Sequence, residues 1–272
     1  MDRRITPATD RMAHRSLIGR IEGRTFTDGR PQTVAVPLVD LLAAPGGARD
    51  RQLWLGDSFV VIDNAQDHAF GFAAKDGYCG WLPEACLGPE TTPTHWIASA
   101  ASHLYAGPKV QTRDLAALPM GARLAVTGTT NAFGQTPHGF VPLAHLRPIG
   151  EWLDDPVAVA EQFVGTPYLW GGNSRAGLDC SGLVQVAYLA CGRPCPADSD
   201  LQQALGQPLD GDATLQRGDL IFWKGHVAMV TGPNRLIHAN GHSMTVACEP
   251  TDACIDRIAA QGGGPVTCRT RP

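Results

Sequence analysis

The sequence contains no long hydrophobic run. No stretch approaches the roughly 18 apolar residues that a membrane-spanning helix requires, so a membrane span is not expected. The opening residues, MDRRITPATDRMAHRSLIGR, are basic but lead into no apolar segment of secretory length; the expectation is a cytoplasmic protein. Basic tracts are missing too. Lysine occurs three times, the net charge is −4, and no basic stripe alternates with aromatics, which argues against nucleic acid as a partner. There is no CxxC pair. Cys191 and Cys195 in CGRPC are one residue too far apart, and no further ligands stand at zinc spacing, so no metal and no other cofactor is expected. The eight cysteines (Cys79, Cys86, Cys180, Cys191, Cys195, Cys248, Cys254 and Cys268) are expected as thiols of a reducing compartment.

What the chain does have is turn-forming material. Its 31 glycines and 21 prolines, spread over the whole length, favour short strands joined by turns over long helices. At 272 residues it can form two or three compact units, each with its own core. Residues 1–30 are charged and lack a clear period, and read as an N-terminal arm. A weak repeat follows. VAVPLVDLLAAPGGARDRQLWLGDSFVVI leads to DGYCGWLPEACLG, and WIASAASHLYAGPKVQTRDLAALPMGARLAVTG leads to TPHGFVPLAHLRP. Each copy has an apolar strand, a Pro/Gly turn, a glycine (Gly56, Gly121), an alternating strand and a Gly–aromatic–apolar–Pro ending, at Gly80–Pro83 and Gly139–Pro142. The period near 60 residues is too long for a solenoid unit, so two small all-β barrels are expected.

The ending GYCGWLP resembles the last hairpin of bacterial Src-homology-3-like barrels; the second copy fits more loosely, with His138 where the first aromatic would stand. This gives a first barrel over 31–90 and a second over 91–150. From 151 to 272 the pattern changes. DDPVAVAEQFVGTPY reads as a short helix with an acidic start and Gly165 as its stop, and CSGLVQVAYLACG as a second helix ending at Gly192. DLIFW, HVAMVTG and RLIHANG read as short strands. Helices first and an antiparallel sheet after them make this an α+β domain.

Cys180 stands where a glycine-rich loop, PYLWGGNSRAGLD, meets the second helix. At that position the helix dipole and unpaired N–H groups favour a thiolate, and the N–H of Cys180 itself is aimed at an attacked carbonyl. Asp179 and Ser181 suit a helix start, as cap and short donor, and are candidate substrate contacts. A thiolate nucleophile needs a base, and the base needs an orienting partner. His226 and His238, 12 positions apart, are the candidates. If the hairpin closes through the three residues Gly232, Pro233 and Asn234, Thr231 pairs with Arg235 and Ala228 lies opposite His238. His226 then shares a face with His238, as diagonal neighbours roughly 7–8 Å apart. A two-residue loop would put the two rings on opposite faces. His242 is a spare.

LDCSGLV after PYLWGG, then RGDLIFW, HVAMV and LIHA, resembles the NlpC-type family of papain-like cell-wall cysteine peptidases, over about 155–250. The resemblance implies Cys180 as nucleophile, His226 as base and His238 as orienting residue. It further implies peptidoglycan-derived peptides as partners and cleavage between γ-D-glutamate and the following diamino acid, diaminopimelate or lysine. Members with barrels in front use an Asp–Ser pair to hold a free peptide amine, and Asp198–Ser199 matches it; the arginine usual before this pair is Ala197 here. In those members an aromatic residue of the first barrel closes the pocket, which implies Tyr78, with Trp81 second. The alternative for Asp198 and Ser199 is a cap on the helix SDLQQAL. The expected activity is a recycling endopeptidase for short muropeptides with a free L-Ala. The rivals are a non-catalytic wall-binding protein acting through its barrels, and another amidase or acyl transferase on the same fold.

Overall fold

The computed structural model describes residues 1–272, which divide into two compact units, Met1–Glu151 and Trp152–Pro272. In the first unit the leading 30 residues are tied down by polar contacts. Thr9 Oγ1 and Arg11 Nη2 each donate to the Asp63 carboxylate at 2.7 Å, and Met12–His14 pairs in parallel with Thr25–Thr27. A seven-stranded antiparallel sheet follows, in the spatial order Arg49–Trp54, Leu38–Leu42, Cys79–Pro83, His68–Ala73, Ser58–Ala65, Arg30–Val34 and Leu87–Gly88. Alternation along these strands sends Val34, Leu41, Leu53, Phe59 and Leu82 inward to near-complete burial. Each such side chain stabilises the unit by about 1.5–3 kcal/mol relative to exposure.

The second half of this unit has a three-stranded sheet centred on His95–Ile97 and a five-stranded sheet centred on Gly139–Pro142. The sequence repeat reappears as geometry. Cys79–Pro83 runs into a 3₁₀ turn, Glu84–Cys86, and a short strand, Leu87–Gly88; Gly139–Pro142 runs into Leu143–His145 and then Leu146–Pro148. In both copies the proline ends the ladder because it has no N–H to donate. The repeat's glycines have a further reason. Gly56 and Gly121 both have positive φ, and a Cβ on Gly56 would sit 2.4 Å from the Arg123 carbonyl oxygen, while one on Gly121 would sit 2.4 Å from the Trp54 ring. Each copy's glycine is therefore packed against the other copy.

The second unit is α+β. Helix α1 (Pro156–Glu161) starts as its sequence predicts: Asp155 accepts from Val157 N at 2.8 Å, and Pro156 fills the first position, where no N–H is needed. Helix α2 (Cys180–Ala190) is buried along almost its whole length. Helix α3 (Ser199–Gln202) is a single turn. The antiparallel sheet runs Gln207–Pro208, Cys268–Arg271, Leu220–Trp223, His226–Gly232, Arg235–Asn240, Thr245–Pro250. Two elements depart from the helices-then-sheet expectation. Helix α4 (Thr251–Ala260) follows the sheet's main strands and packs Cys254, Ile255 and Ile258 on Ile221, Trp223, Ala228, Val230 and Leu236. The C-terminal strand then returns to pair with Leu220–Trp223. Both are amphipathic segments whose apolar faces find partners only in the folded sheet.

Candidate active site

The site begins at the loop before α2. Asp179 has extended backbone angles and caps the helix; its carboxylate accepts from Gly182 N at 2.6 Å, Ser181 Oγ at 3.1 Å and Gly171 N at 2.9 Å. One side chain thus closes the glycine loop onto the helix start. Gly182 has to be glycine for the same reason, since a Cβ there would lie 2.4 Å from the Gly172 carbonyl oxygen. Asp179 and Ser181 are both buried, at 6% and 4% exposure, and bond each other and the loop backbone.

Cys180 is the first residue of α2, where the helix's positive end lies. Its Sγ is 4.0 Å from the carbonyl oxygen of Gly225, the residue that precedes His226. Gly225 has a φ of +74°, and this turn brings the strand beginning at His226 back against its neighbour, with Trp223 opposite His226.

The two histidines meet, though by a different hairpin from the one expected. Gly232 pairs with Arg235, so the loop has two residues, Pro233 and Asn234. Proline followed by a residue at positive φ (Asn234, +45°) fits the two central positions of a type II turn. By itself that loop would turn the rings to opposite faces. A β-bulge at Thr231 absorbs one residue, after which Val230 pairs with Leu236 and Met229 with Ile237. The next position outward sets Ala228 opposite His238, so His226 and His238 share a face after all. His226 Nε2 lies 2.8 Å from His238 Nδ1, with the rings at 61° and centroids 5.0 Å apart.

The row continues beyond the residues that sequence reading selected. His238 Nε2 lies 2.6 Å from Glu249 Oε1, and the same oxygen accepts from Arg257 Nη2 of α4. Glu249 stands opposite Leu236 and Ala247 opposite His238, so the carboxylate is the diagonal neighbour of the ring on the same face. Only strand alternation in TVACEP could have pointed to it. Burial, and next the adjacent His238 and Arg257, push His226 down to about 3 against a small opposing pull from Glu249. Burial likewise lowers His238. For Glu249 burial works upward, but hydrogen bonds from Arg257 and His238 prevail and hold it below the usual carboxylate range. Both imidazoles are thus neutral at pH 7 and the carboxylate is ionised.

The remaining candidates stand on other elements. Asp198 occupies the cap position of α3 but makes no capping hydrogen bond to it, and Ser199 is 8% exposed. His242 is exposed, with Nδ1 3.3 Å from Gln261 Nε2, outside the row. Tyr78 belongs to the first unit, buried just before the strand Cys79–Pro83, with its amide donating to Asp76. Trp81 packs against Phe70 at 5.1 Å in the same unit. A thiol at a helix start and a neutral imidazole oriented by a second ring are the parts required for nucleophilic attack on a carbonyl.

Known proteins resemble this chain in sequence and in fold. Residues 165–257 match the NlpC/P60 family, and residues 41–87 match the bacterial dipeptidyl-peptidase Sh3 domain. The gamma-D-glutamyl-L-lysine dipeptidyl-peptidase of Bacillus cereus is 28% identical over 231 residues, covering 70% of this chain and 67% of its own. Dipeptidyl-peptidase 6 of Lysinibacillus sphaericus is 30% identical over 166 residues, 54% of this chain and 60% of that one. The chain thus spans about 60–67% of the length of these curated relatives. The crystal structure of an NlpC/P60 family protein from Bacillus cereus has the same fold, with a TM-score of 0.74 at 22% identity over 89% of this chain and 99% of the other. No helix is long and apolar enough to cross a membrane. The chain thus carries a papain-like NlpC/P60 domain, preceded in the sequence by a bacterial Src-homology-3-like domain.

Proposed function

We propose that this protein is a cysteine peptidase that hydrolyses the γ-D-glutamyl–L-diamino acid bond of short peptidoglycan peptides with a free N-terminal L-Ala. The observation that carries the reading is the position of Cys180 Sγ at the start of α2, 4.0 Å from the Gly225 carbonyl that leads into the paired His226 and His238. In the mechanism, His226 takes the proton of the Cys180 thiol as sulfur bonds to the γ-glutamyl carbonyl carbon. The N–H of Cys180 lies in the first turn of α2, outside the helical ladder, and donates to the developing oxyanion. His226 then returns the proton to the departing amine of the diamino acid as the C–N bond breaks. Water, deprotonated by His226, cleaves the thioester and restores the thiol.

The substrate class rests on the relatives' names. Both are dipeptidyl-peptidases, enzymes that release an N-terminal dipeptide, and one is named for the γ-D-glutamyl-L-lysine bond. Such a peptidase must measure two residues from a free amine. Asp198, a carboxylate at the cap position of α3, has the chemistry to bind an ammonium group.

The test is digestion of L-Ala–γ-D-Glu–diaminopimelate, with and without an N-terminal block, by the wild type and Cys180→Ala. Release of L-Ala–γ-D-Glu from the free peptide by the wild type alone supports the reading. Equal cleavage of the blocked peptide removes the free-amine requirement, and undiminished release by Cys180→Ala removes the mechanism.

A further inference from the structure

We propose that Glu249, held by Arg257, is a positioning residue that fixes the tautomers of both imidazoles, so that His226 turns a proton-free Nδ1 toward Cys180. This rests on the cysteine–histidine reading above and adds a residue to it.

The argument follows the protons inward from the carboxylate. An ionised carboxylate can only accept, so at 2.6 Å from Glu249 Oε1 the Nε2 of His238 has to carry a hydrogen. A neutral imidazole has one N–H, which leaves His238 Nδ1 as an acceptor. At 2.8 Å from that acceptor, His226 Nε2 has to be the donor. The single hydrogen of the neutral His226 is then accounted for, and its Nδ1 keeps a lone pair. Without the carboxylate the row can run in reverse: His238 donates from Nδ1, His226 accepts at Nε2, and the hydrogen sits on the nitrogen that must receive the thiol proton. The row has one sense because its far end is an anion.

Arg257 supplies the second half of the device. Its side chain is 19% exposed and that of Glu249 is 23% exposed, so the pair is largely withdrawn from water, and the guanidinium holds the carboxylate in its ionised form. Cys254 shares this corner, with Sγ 3.7 Å from Arg257 Nη2. His238, Glu249 and Cys254 are close enough to ligate a cation. Burial pushes the Cys254 thiol up to about 12, however, and a protonated thiol beside a carboxylate already taken by a guanidinium is a poor ligand set. The corner is organised for pairing.

The test compares wild type, Glu249→Gln and Glu249→Ala in protein labelled with ¹⁵N-histidine, with no peptide present. Long-range ¹H–¹⁵N spectra of the wild type should show both imidazoles protonated at Nε2, and Glu249→Ala should show a mixture. In the same samples, alkylation of Cys180 by iodoacetamide, read by peptide mass mapping, should slow about 10–100-fold, and kcat should fall by the same factor with KM unchanged. If the alanine variant does not fold, Glu249→Gln, whose amide oxygen is a weaker acceptor of the same shape, should show the same changes at smaller size. Unchanged tautomers with unchanged alkylation overturn the proposal, and so does a lower melting temperature with kcat retained. Neither the spectra nor the alkylation needs a substrate, so the two readings fail separately. A tautomer mixture in a protein that cuts no muropeptide would leave the positioning role standing and remove the proposed activity.

Discussion

Each unit of this molecule buries a charged cluster, and the two are put together differently. In the first unit Lys75 Nζ sits 2.6 Å from Asp57 Oδ2 and 3.8 Å from the centre of the Trp54 ring, while the Trp54 amide donates to the same carboxylate oxygen at 2.9 Å. Lys75 and Asp57 are 5% and 2% exposed, and the cluster closes on itself: cation, anion and ring satisfy one another. In the second unit the groups form a row, from Arg257 through Glu249 and His238 to His226, with one nitrogen of the last ring not engaged by His238. A closed cluster has nothing left to offer a ligand, whereas a row whose last ring keeps its second nitrogen outside the pairing does. Burial of charge alone therefore does not mark a functional site.

If this contrast is right, breaking the row should stop chemistry and breaking the closed cluster should cost stability. The largest effect is expected at Cys180. Cys180→Ala should lower dipeptide release by about 10⁴-fold or more, measured by mass spectrometry of the products, with little change in the denaturation midpoint. Next comes Asp57→Ala, which leaves Lys75 buried without its partner and should cost about 3–5 kcal/mol, read from the urea midpoint. The double variant Asp57→Leu with Lys75→Met should recover much of that loss, because a closed cluster is replaceable by apolar groups of similar volume. No apolar pair can stand in for His226 and His238. Full activity in a His238→Leu variant would erase the distinction.

The cysteine at the start of α2 and the β-rich repeat of the first unit were legible in the sequence because both have local signatures. A cysteine at a loop-to-helix junction and a strand ending in Gly–aromatic–apolar–Pro are each set within a few residues. The bulge at Thr231 was not legible, since nothing in VTGPNR separates a three-residue loop from a two-residue loop with a bulge, although both set Ala228 opposite His238. Glu249 was missed for a related reason. Its place depends on the register of a second hairpin, Arg235–Asn240 with Thr245–Pro250, and on α4 delivering Arg257 from outside the sheet. The cap role of Asp179 was legible from its place before the helix, but its bond to Gly171 N across the glycine loop was not. Local pattern gave the residue types, and long-range pairing decided their duties.

Acid should separate the two clusters further. His226 has a folded pKa lowered from 6.5 to about 3, so the unfolded chain binds a proton in this range and the folded one does not. Stability is therefore fully present above about pH 6.5 and is lost as pH falls from there toward 3, by about 2 kcal/mol at pH 5. His226→Gln has no imidazole to titrate and should lack this part of the acid loss; melting curves of both proteins between pH 7 and 5 measure it. Glu249, also lowered, loses its contribution at more acid pH in both proteins and largely cancels in the difference. Parallel curves would mean that His226 is not held neutral.

The smallest expected effect sharpens the comparison at two helix starts. Asp155 and Asp198 both occupy cap positions, but Asp155 accepts from Val157 N at 2.8 Å while Asp198 makes no capping bond to α3. Asp155→Ala should therefore cost about 1 kcal/mol of stability from the cap. Asp198→Asn removes no capping bond and should raise KM about tenfold for peptides with a free amine, the loss of one charge-assisted hydrogen bond to the ligand. Peptides blocked at the amine should not respond to the change. If Asp198→Asn instead lowers the midpoint as Asp155→Ala does, with KM unmoved, Asp198 is a structural residue of the helix start and the amine is recognised elsewhere.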